Sequence, residues 1–167
     1  MPYTAIDNNA IKVRVKKIID TEIKLVDTAN PKDKLRTVLV GTPPNNNFKD
    51  LNHPALVITN SERWMEEEHR GPEKDRAITS ISTIVRYDLI LTVQKDDSID
   101  AEKEVDRLFK LIEERLYQFT NLQKPADGLD PLCNSILLET TRRIPQLQGQ
   151  EIDGFRSTLK VTIYPHD

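Results

Sequence analysis

The first apolar pattern along the chain has the period of a helix. Between residues 9 and 28, apolar positions recur at the spacing of one helix face, at Ile11, Val15, Ile18, Ile19, Leu25 and Val26. Asn8 or Asn9 is of a type that caps helix N-termini, and Pro31 follows, a residue that disfavours helix at the position before it. We therefore predict a first helix over residues 9–28.

The next patterns are those of strands. Short apolar runs predict strands at 37–40 and 55–59, and strict alternation predicts a long strand over 79–95, with one face formed by Val85, Tyr87, Leu89, Leu91 and Val93. Residues 60–78 are polar and without clear periodicity, which predicts a long loop. Two more runs predict closing strands at 135–144 and 155–164.

A second helix is predicted over residues 99–119, where one face carries Val105, Leu108, Phe109, Ile112 and Leu116. The element order is then α-β-β-β-α-β-β. This order predicts one α+β domain spanning residues 1–167, with an antiparallel-rich mixed sheet, a long β-hairpin and the two main helices on one face.

Composition and charge exclude several classes of protein. The net charge is −3 and the pI about 5.7, which argues against a protein that binds nucleic acid through a basic excess. No apolar run approaches the roughly 18 residues of a membrane span, and the N-terminus lacks the pattern of a signal peptide. The single cysteine, Cys133, fits a reducing, intracellular compartment and predicts a small buried residue.

Signatures of catalysis and metal binding are lacking in the sequence. Neither a glycine-rich phosphate-binding loop nor a nucleophile elbow occurs. The acidic run Glu66–Glu68 ends at His69, but no second histidine lies four residues away to complete a helical ligand pair. The sequence predicts a protein that is not an enzyme and has no catalytic residue, no metal site and no cofactor.

Three groups of residues are candidates for contacts with other macromolecules. Lys12, Arg14, Lys16 and Lys17 either touch a nucleic-acid backbone or form a solvated helix flank. Trp64 and Met65, with Arg70 nearby, are of types enriched at protein interfaces, although Trp64 also suits a position folded back on its own core. The third group is Arg142 and Arg143, whose paired cations need an acidic or solvent-facing partner.

Three segments carry a resemblance to a known family. They are His53-Pro-Ala-Leu-Val-Ile58, the stretch from Ile84 to Val93 running into the helix that starts at Ile99, and the end of the chain from Ile152 to Tyr164. In order and spacing, the chain resembles the tail terminator, or tail completion, proteins of tailed viruses. Over residues 60–78 and at Gly41-Thr-Pro-Pro-Asn-Asn-Asn47 the chain departs from that family.

The resemblance implies a structural role in the virion. Proteins of that family form a ring, six-membered, that caps the tail tube, ends its polymerisation and joins it to the head connector. The expected partners are other copies of the chain, the tail tube protein, and a connector or adaptor protein; genome DNA passes through the lumen without sequence-specific binding. We expect assembly in the host cytoplasm and a final location in the virion neck. The alternatives are another neck component, such as a head completion or connector-adaptor protein, or a small nucleic-acid-binding module.

Overall fold

The computed structural model describes residues 7–20, 35–43, 47–48, 50–70, 77–94, 101–123, 128, 130–144 and 152–163. The two α-helices are α1 (Asn8–Ile19) and α2 (Ala101–Leu116), and α2 runs into a 3₁₀ turn at Tyr117–Phe119. The strands are β1 (Thr37–Val40), β2 (Ala55–Arg70), β3 (Ala77–Gln94), β4 (Ser135–Ile144) and β5 (Ile152–Ile163). Among the helices in these ranges, none has the length and hydropathy needed to cross a membrane.

The five strands form one sheet in the order β1-β2-β3-β5-β4. β1 lies parallel to β2, and the other three pairings are antiparallel. The predicted element order and the antiparallel-rich mixed sheet are therefore confirmed. β3 is the centre of the sheet, because it pairs with β2 along one side and with β5 along the other.

Helix α1 begins one residue earlier than predicted. Its N-cap is Asp7 rather than Asn8 or Asn9, and the Asp7 carboxylate accepts hydrogen bonds from the amides of Asn9 and Ala10. The face with Ile11, Val15, Ile18 and Ile19 is buried, as the spacing predicts. The predicted continuation to residue 28 falls on residues 21–34, which lie outside the described part of the chain.

Both helices cover the same face of the sheet. The alternating residues of β3 from Val85 to Val93 form one buried cluster with the apolar faces of α1 and α2. At its centre the Tyr87 hydroxyl donates a hydrogen bond to the carbonyl of Asn8, 3.4 Å away, and burial raises the pKa of Tyr87 above its ordinary value. The core is thus a single layer between helices and sheet, as predicted for an α+β domain.

The prediction of a loop over residues 60–78 is wrong. β2 continues to Arg70, β3 already begins at Ala77, and the two strands stay paired from Ala55↔Thr92 to Arg70↔Ala77. Alternation between apolar and polar residues requires one buried face. The segment from Glu62 to Glu66 is largely exposed. Its backbone is paired with β3, but because neither face is buried, its side chains do not alternate between apolar and polar types. Residues 71–76 lie outside the described ranges.

The helix–sheet layer generates a stability prediction at Leu108, a fully buried residue of α2. Leu108→Ala removes buried apolar atoms and leaves a cavity, so the free energy of unfolding should fall by about 2–5 kcal/mol in urea titrations. Lys110→Ala, on the same helix with its side chain 76% exposed, is the matched control and should stay within about 0.5 kcal/mol of the unsubstituted protein. Equal stabilities for the two variants would contradict this packing.

Candidate interaction surface

The most distinctive surface of the molecule is the far end of the β2–β3 hairpin. β1 accompanies β2 only from Ala55 to Ile58, and the pairing of β5 with β3 ends at Thr83↔Ile163. Beyond these points the described strands form a two-stranded ribbon, which we call the arm: β2 residues 66–70 with β3 residues 77–82. An isolated two-stranded ribbon is only marginally stable in water, and its outer edges carry backbone groups that can pair with another chain.

Arg86 anchors the base of the arm to the rest of the sheet. Its Nε and Nη2 donate to the two carboxylate oxygens of Glu139 on β4, at 2.7 and 3.1 Å, and its Nη1 donates to Glu62 on β2 at 3.0 Å. The hydrogen bonds to Glu139, and then those to Glu62, raise the pKa of Arg86 above its already high ordinary value. One guanidinium therefore links three strands, and its bidentate geometry is one that lysine cannot reproduce.

Strand irregularities bring both acids to Arg86. In β2 the register shifts between Asn60 and Glu62, which sets Glu62 opposite Arg86. In β4 it shifts between Leu138 and Thr140, so that Glu139 is the extra residue of a bulge. Bulges re-aim side chains at such points. The Glu139 carboxylate can thereby reach Arg86 on β3 although β5 lies between the two strands.

Trp64 packs at the same junction. The Arg86 guanidinium lies over the indole, 4.4 Å from the ring centroid, and the Trp64 Nε1 donates to Glu66 Oε1 at 3.1 Å. In register Trp64 is opposite Ile84, on the sheet face that points away from the helices. Trp64 is half-buried and lies outside the helix–sheet core cluster.

The other predicted contact residues divide into two regions. Met65 is 49% exposed at the base of the arm, and Arg70 is the last residue of β2, opposite Ala77. Arg142 is exposed on β4, and Arg143 follows it in the same strand. The side chains of Arg70 and Arg143 fall outside the described residues. Trp64 and Met65 are neighbours in β2, opposite Ile84 and Thr83, so their side chains lie on opposite faces of the sheet. The two arginines of β4 lie at another part of the sheet.

The basic residues of α1 are partly committed to internal contacts. The Arg14 Nη1 donates to the carbonyl of Leu122 at 2.8 Å and also to that of Asp130, which ties α1 to the segment that follows α2. Lys16 lies 3.5 Å from Asp20 in an i,i+4 ion pair. This group is therefore less available to a phosphate backbone than its sequence suggests.

Cysteine and histidine, two residue types that often take part in catalysis or metal binding, occur among the residues with described side chains as Cys133 and His53. Cys133 is buried, and this burial raises the pKa of its thiol to about 12. The His53 Nδ1 lies 3.1 Å from the Thr92 hydroxyl, which anchors the start of β2 to β3. Across the described ranges, no group of three or more histidine, cysteine and acidic side chains is arranged to hold a metal ion.

Arg86, Glu62 and Glu139 were not predicted from the sequence. Each occupies an ordinary polar position of a strand, and Arg86 and Glu139 are 53 residues apart. Arg86 and Glu139 can be placed together only once two facts are known: β5 lies between β3 and β4, and β4 has a bulge at Glu139. An arginine in the polar register of the long alternating strand β3 is the only sequence signal that points to this junction.

The contacts of Arg86 with Glu62, Glu139 and Trp64, which we call the Arg86 junction, predict how accessible the indole of Trp64 is to a quencher. Trp64 is the only tryptophan of the chain. Arg86→Ala uncovers one face of the Trp64 ring and releases two carboxylates, so acrylamide should quench the indole fluorescence more strongly. Arg86→Lys keeps the charge but loses the bidentate geometry, and should lie between Arg86→Ala and the unsubstituted protein. Lys110→Ala is the control for loss of a surface cation. Unchanged quenching in Arg86→Ala would rule out this stacking.

Burial of Cys133 predicts that its thiol reacts slowly with a disulfide reagent. With a pKa of about 12, roughly one thiol in ten thousand is ionised near pH 8, and only the thiolate reacts with a disulfide reagent. Labelling by Ellman's reagent should therefore be slow in the folded protein, accelerate as the pH rises toward 12, and become fast in denaturant. Rapid labelling of the folded protein at neutral pH would instead indicate an activated thiol.

No protein-family model matches this chain, and no curated protein matches it. A functional proposal therefore rests on the residues described above: the arm with its open edges, the Arg86 junction at its base, and the contact residues around Trp64 and on β4.

Proposed function

We propose that this protein is a structural, non-enzymatic component of a tailed virus particle, acting at the head–tail junction. Copies of the chain form a ring that caps the tail tube, ends its polymerisation and joins it to the head connector. The observation that carries the proposal is the arm, which extends beyond every other strand of the sheet and has unpaired edges in the described part of the chain.

The order of elements supports the proposal. The resemblance to tail terminator proteins implies a helix, a short strand, a Pro-Ala-Leu-Val-Ile strand, a long strand pair, a second helix and two closing strands. α1, β1, β2–β3, α2 and β4–β5 follow that order, except that the Ala-Leu-Val-Ile segment is the first part of β2 and not a separate strand. The long strand pair extends further from the body of the sheet than the sequence predicts, because residues 62–70 add to it.

The arm favours self-association for a physical reason. Edge strands of a soluble monomer are normally short, bulged, charged or covered. The β2 edge past Ile58 is long, and although it has acidic residues and a bulge at Ser61, its base exposes Met65 and part of Trp64. A ring of identical copies satisfies such an edge through head-to-tail contacts between two different patches of the chain.

The net charge of the chain and the contacts of its basic residues favour a ring through which DNA passes over a module that binds nucleic acid. The chain has a net charge of −3, and Arg14, in the middle of the basic group of α1, donates to two backbone carbonyls. Tight binding to phosphates would retard the genome as it passes, whereas an acidic ring binds DNA weakly. Genome DNA is therefore expected to pass through the lumen without sequence-specific contacts.

Native mass spectrometry and electron microscopy of the purified protein, alone and with tail tube subunits, test the proposal. We expect closed rings, six-membered, and tubes whose length is fixed when the protein is added during polymerisation. A strict monomer that neither binds tube subunits nor limits tube length would contradict it. Rings that ignore the tube but bind a connector would instead favour the alternative, a connector-adaptor or head completion protein.

A further inference from the structure

Four large apolar side chains are more than a third exposed in the described part of the chain: Val13, Met65, Tyr117 and Leu137. Three of them lie at the two edges of the sheet. Met65 is in β2, beyond the last residue that β1 accompanies, and Leu137 is in β4, the strand at the other end of the sheet order. Tyr117 contacts β4 through its hydroxyl. An edge strand with exposed apolar side chains is a place where another strand can pair.

A side chain occupies one backbone amide on the β4 edge. The Leu138 amide donates to the Tyr117 hydroxyl at 3.0 Å, and Tyr117 lies in the 3₁₀ turn that follows α2. An amide on the outer side of an edge strand otherwise faces water or pairs with another strand. Tyr117 is exposed and does not belong to the core cluster, so its hydroxyl can leave the amide without opening the core. This hydrogen bond is therefore a removable cap on the edge of β4.

Each of the two edges carries one apolar residue on each face of the sheet. On β4, Leu137 lies on the face away from the helices and Leu138 on the helix side. On β2, Trp64 lies on the face away from the helices and Met65 on the helix side. Strands that pair side by side in one sheet keep their faces aligned. Pairing of the two edges therefore puts Trp64 beside Leu137 on one face, and Met65 within reach of Leu138 on the other.

The two edges cannot meet within one copy, because β3 and β5 lie between β2 and β4, which sets them about 14 Å apart. The three antiparallel pairings between them make β2 and β4 run in opposite directions. Two copies with their helices on the same side can therefore pair β2 of one with β4 of the other as an antiparallel continuation of the sheet. Leu137 lies in the row of Arg86 and Trp64 in the row of Ile84, so a shift of two residues brings them side by side.

The charges on the face away from the helices agree with this pairing. Glu66 lies two residues beyond Trp64 on that face, and its carboxylate accepts from the neutral indole. Lys160 of β5 lies on the same face, directly beside the β4 edge, and forms no ion pair within the described residues. Glu139, the acid of β4, already binds a guanidinium. Pairing of the edges therefore brings an acid of one copy toward a base of the other.

We propose that the β2 edge at Trp64 and Met65 of one copy pairs with the β4 edge at Leu137 and Leu138 of a second copy. The incoming strand displaces the Tyr117 hydroxyl from the Leu138 amide. A second copy is the occupant because one chain carries both edges, with matching faces and opposite strand directions. The contact joins two different patches, so it is head-to-tail and propagates around a ring. The inference rests on the proposed function and names the contact between neighbours in the ring.

Removal of one hydroxyl group tests the cap. Tyr117→Phe keeps the ring of the side chain but leaves the Leu138 amide open to an incoming strand. Because association then no longer breaks an internal hydrogen bond, the apparent association constant measured by sedimentation should rise about two- to tenfold. Gln118→Ala, at an exposed residue of the same turn, is the matched control and should leave association unchanged. An association constant that stays the same or falls in Tyr117→Phe would show that Tyr117 does not compete with an incoming strand.

Polar substitutions at the exposed apolar residues test the contact itself. Met65→Gln and Leu137→Gln remove apolar surface that the contact buries, so each should lower the association constant about three- to tenfold. Val13→Gln is the matched control, because Val13 is 48% exposed, compared with 49% for Met65 and 50% for Leu137, but lies on α1 and not at a sheet edge. It should leave association unchanged. Thermal unfolding verifies that each variant is folded.

The outcomes separate this contact from the proposed function. If the unsubstituted protein forms rings and Met65→Gln and Leu137→Gln associate as strongly as Val13→Gln, the two edges do not meet and the ring proposal stands. If both variants show the expected losses but the associated copies neither close into rings nor bind tube subunits, the contact stands and the proposed function fails. A protein that stays monomeric at every concentration, with and without tube subunits, contradicts both.

Discussion

The hydrogen-bonded ladder between β2 and β3 is longer than any other pairing in the sheet. Its extra length divides the sheet into a part covered by the helices and the arm. Where β1 and β5 accompany the two strands, helices cover the sheet and a core forms. Where they do not, the same ladder continues as a ribbon with few apolar residues to bury. Backbone hydrogen bonds hold such a ribbon together, but little burial stabilises it. In the ring that we propose, this ribbon supplies an interface between copies.

The Arg86 junction connects the base of the arm to the body of the sheet. A hairpin joined to a sheet by its ladder alone bends and twists freely at its base. Here one guanidinium binds Glu62 on the arm's own strand and Glu139 two strands away, and it stacks on Trp64. Both acids lie at register shifts, where an extra residue re-aims the chain. A few surface side chains thus add to the strand ladder at the base of the arm, outside the core cluster.

Helices and strands with one buried face can be predicted from the sequence, whereas a strand without such a face cannot. The alternation of Val85, Tyr87 and Leu89 predicted β3 nearly to its ends, and the helical spacing of α2 predicted the element that covers it. Residues 62–66 are largely exposed and lack such a face, so the sequence predicted a loop there. The Arg86 junction depends on strand order and on two bulges, which no local pattern encodes. The residues around Trp64 were identified by type, but their arrangement needed the register.

We propose that the open edges of the arm pair with other copies of the chain. Amide hydrogen exchange across β2 residues 66–70, followed as a function of protein concentration, measures this pairing. We expect fast exchange in the dilute monomer and strong protection once copies associate, while core amides such as those of Tyr87 and Leu89 stay protected throughout. Equally fast exchange of the arm amides in the monomer and in the assembled state would show that the edges stay unpaired between copies.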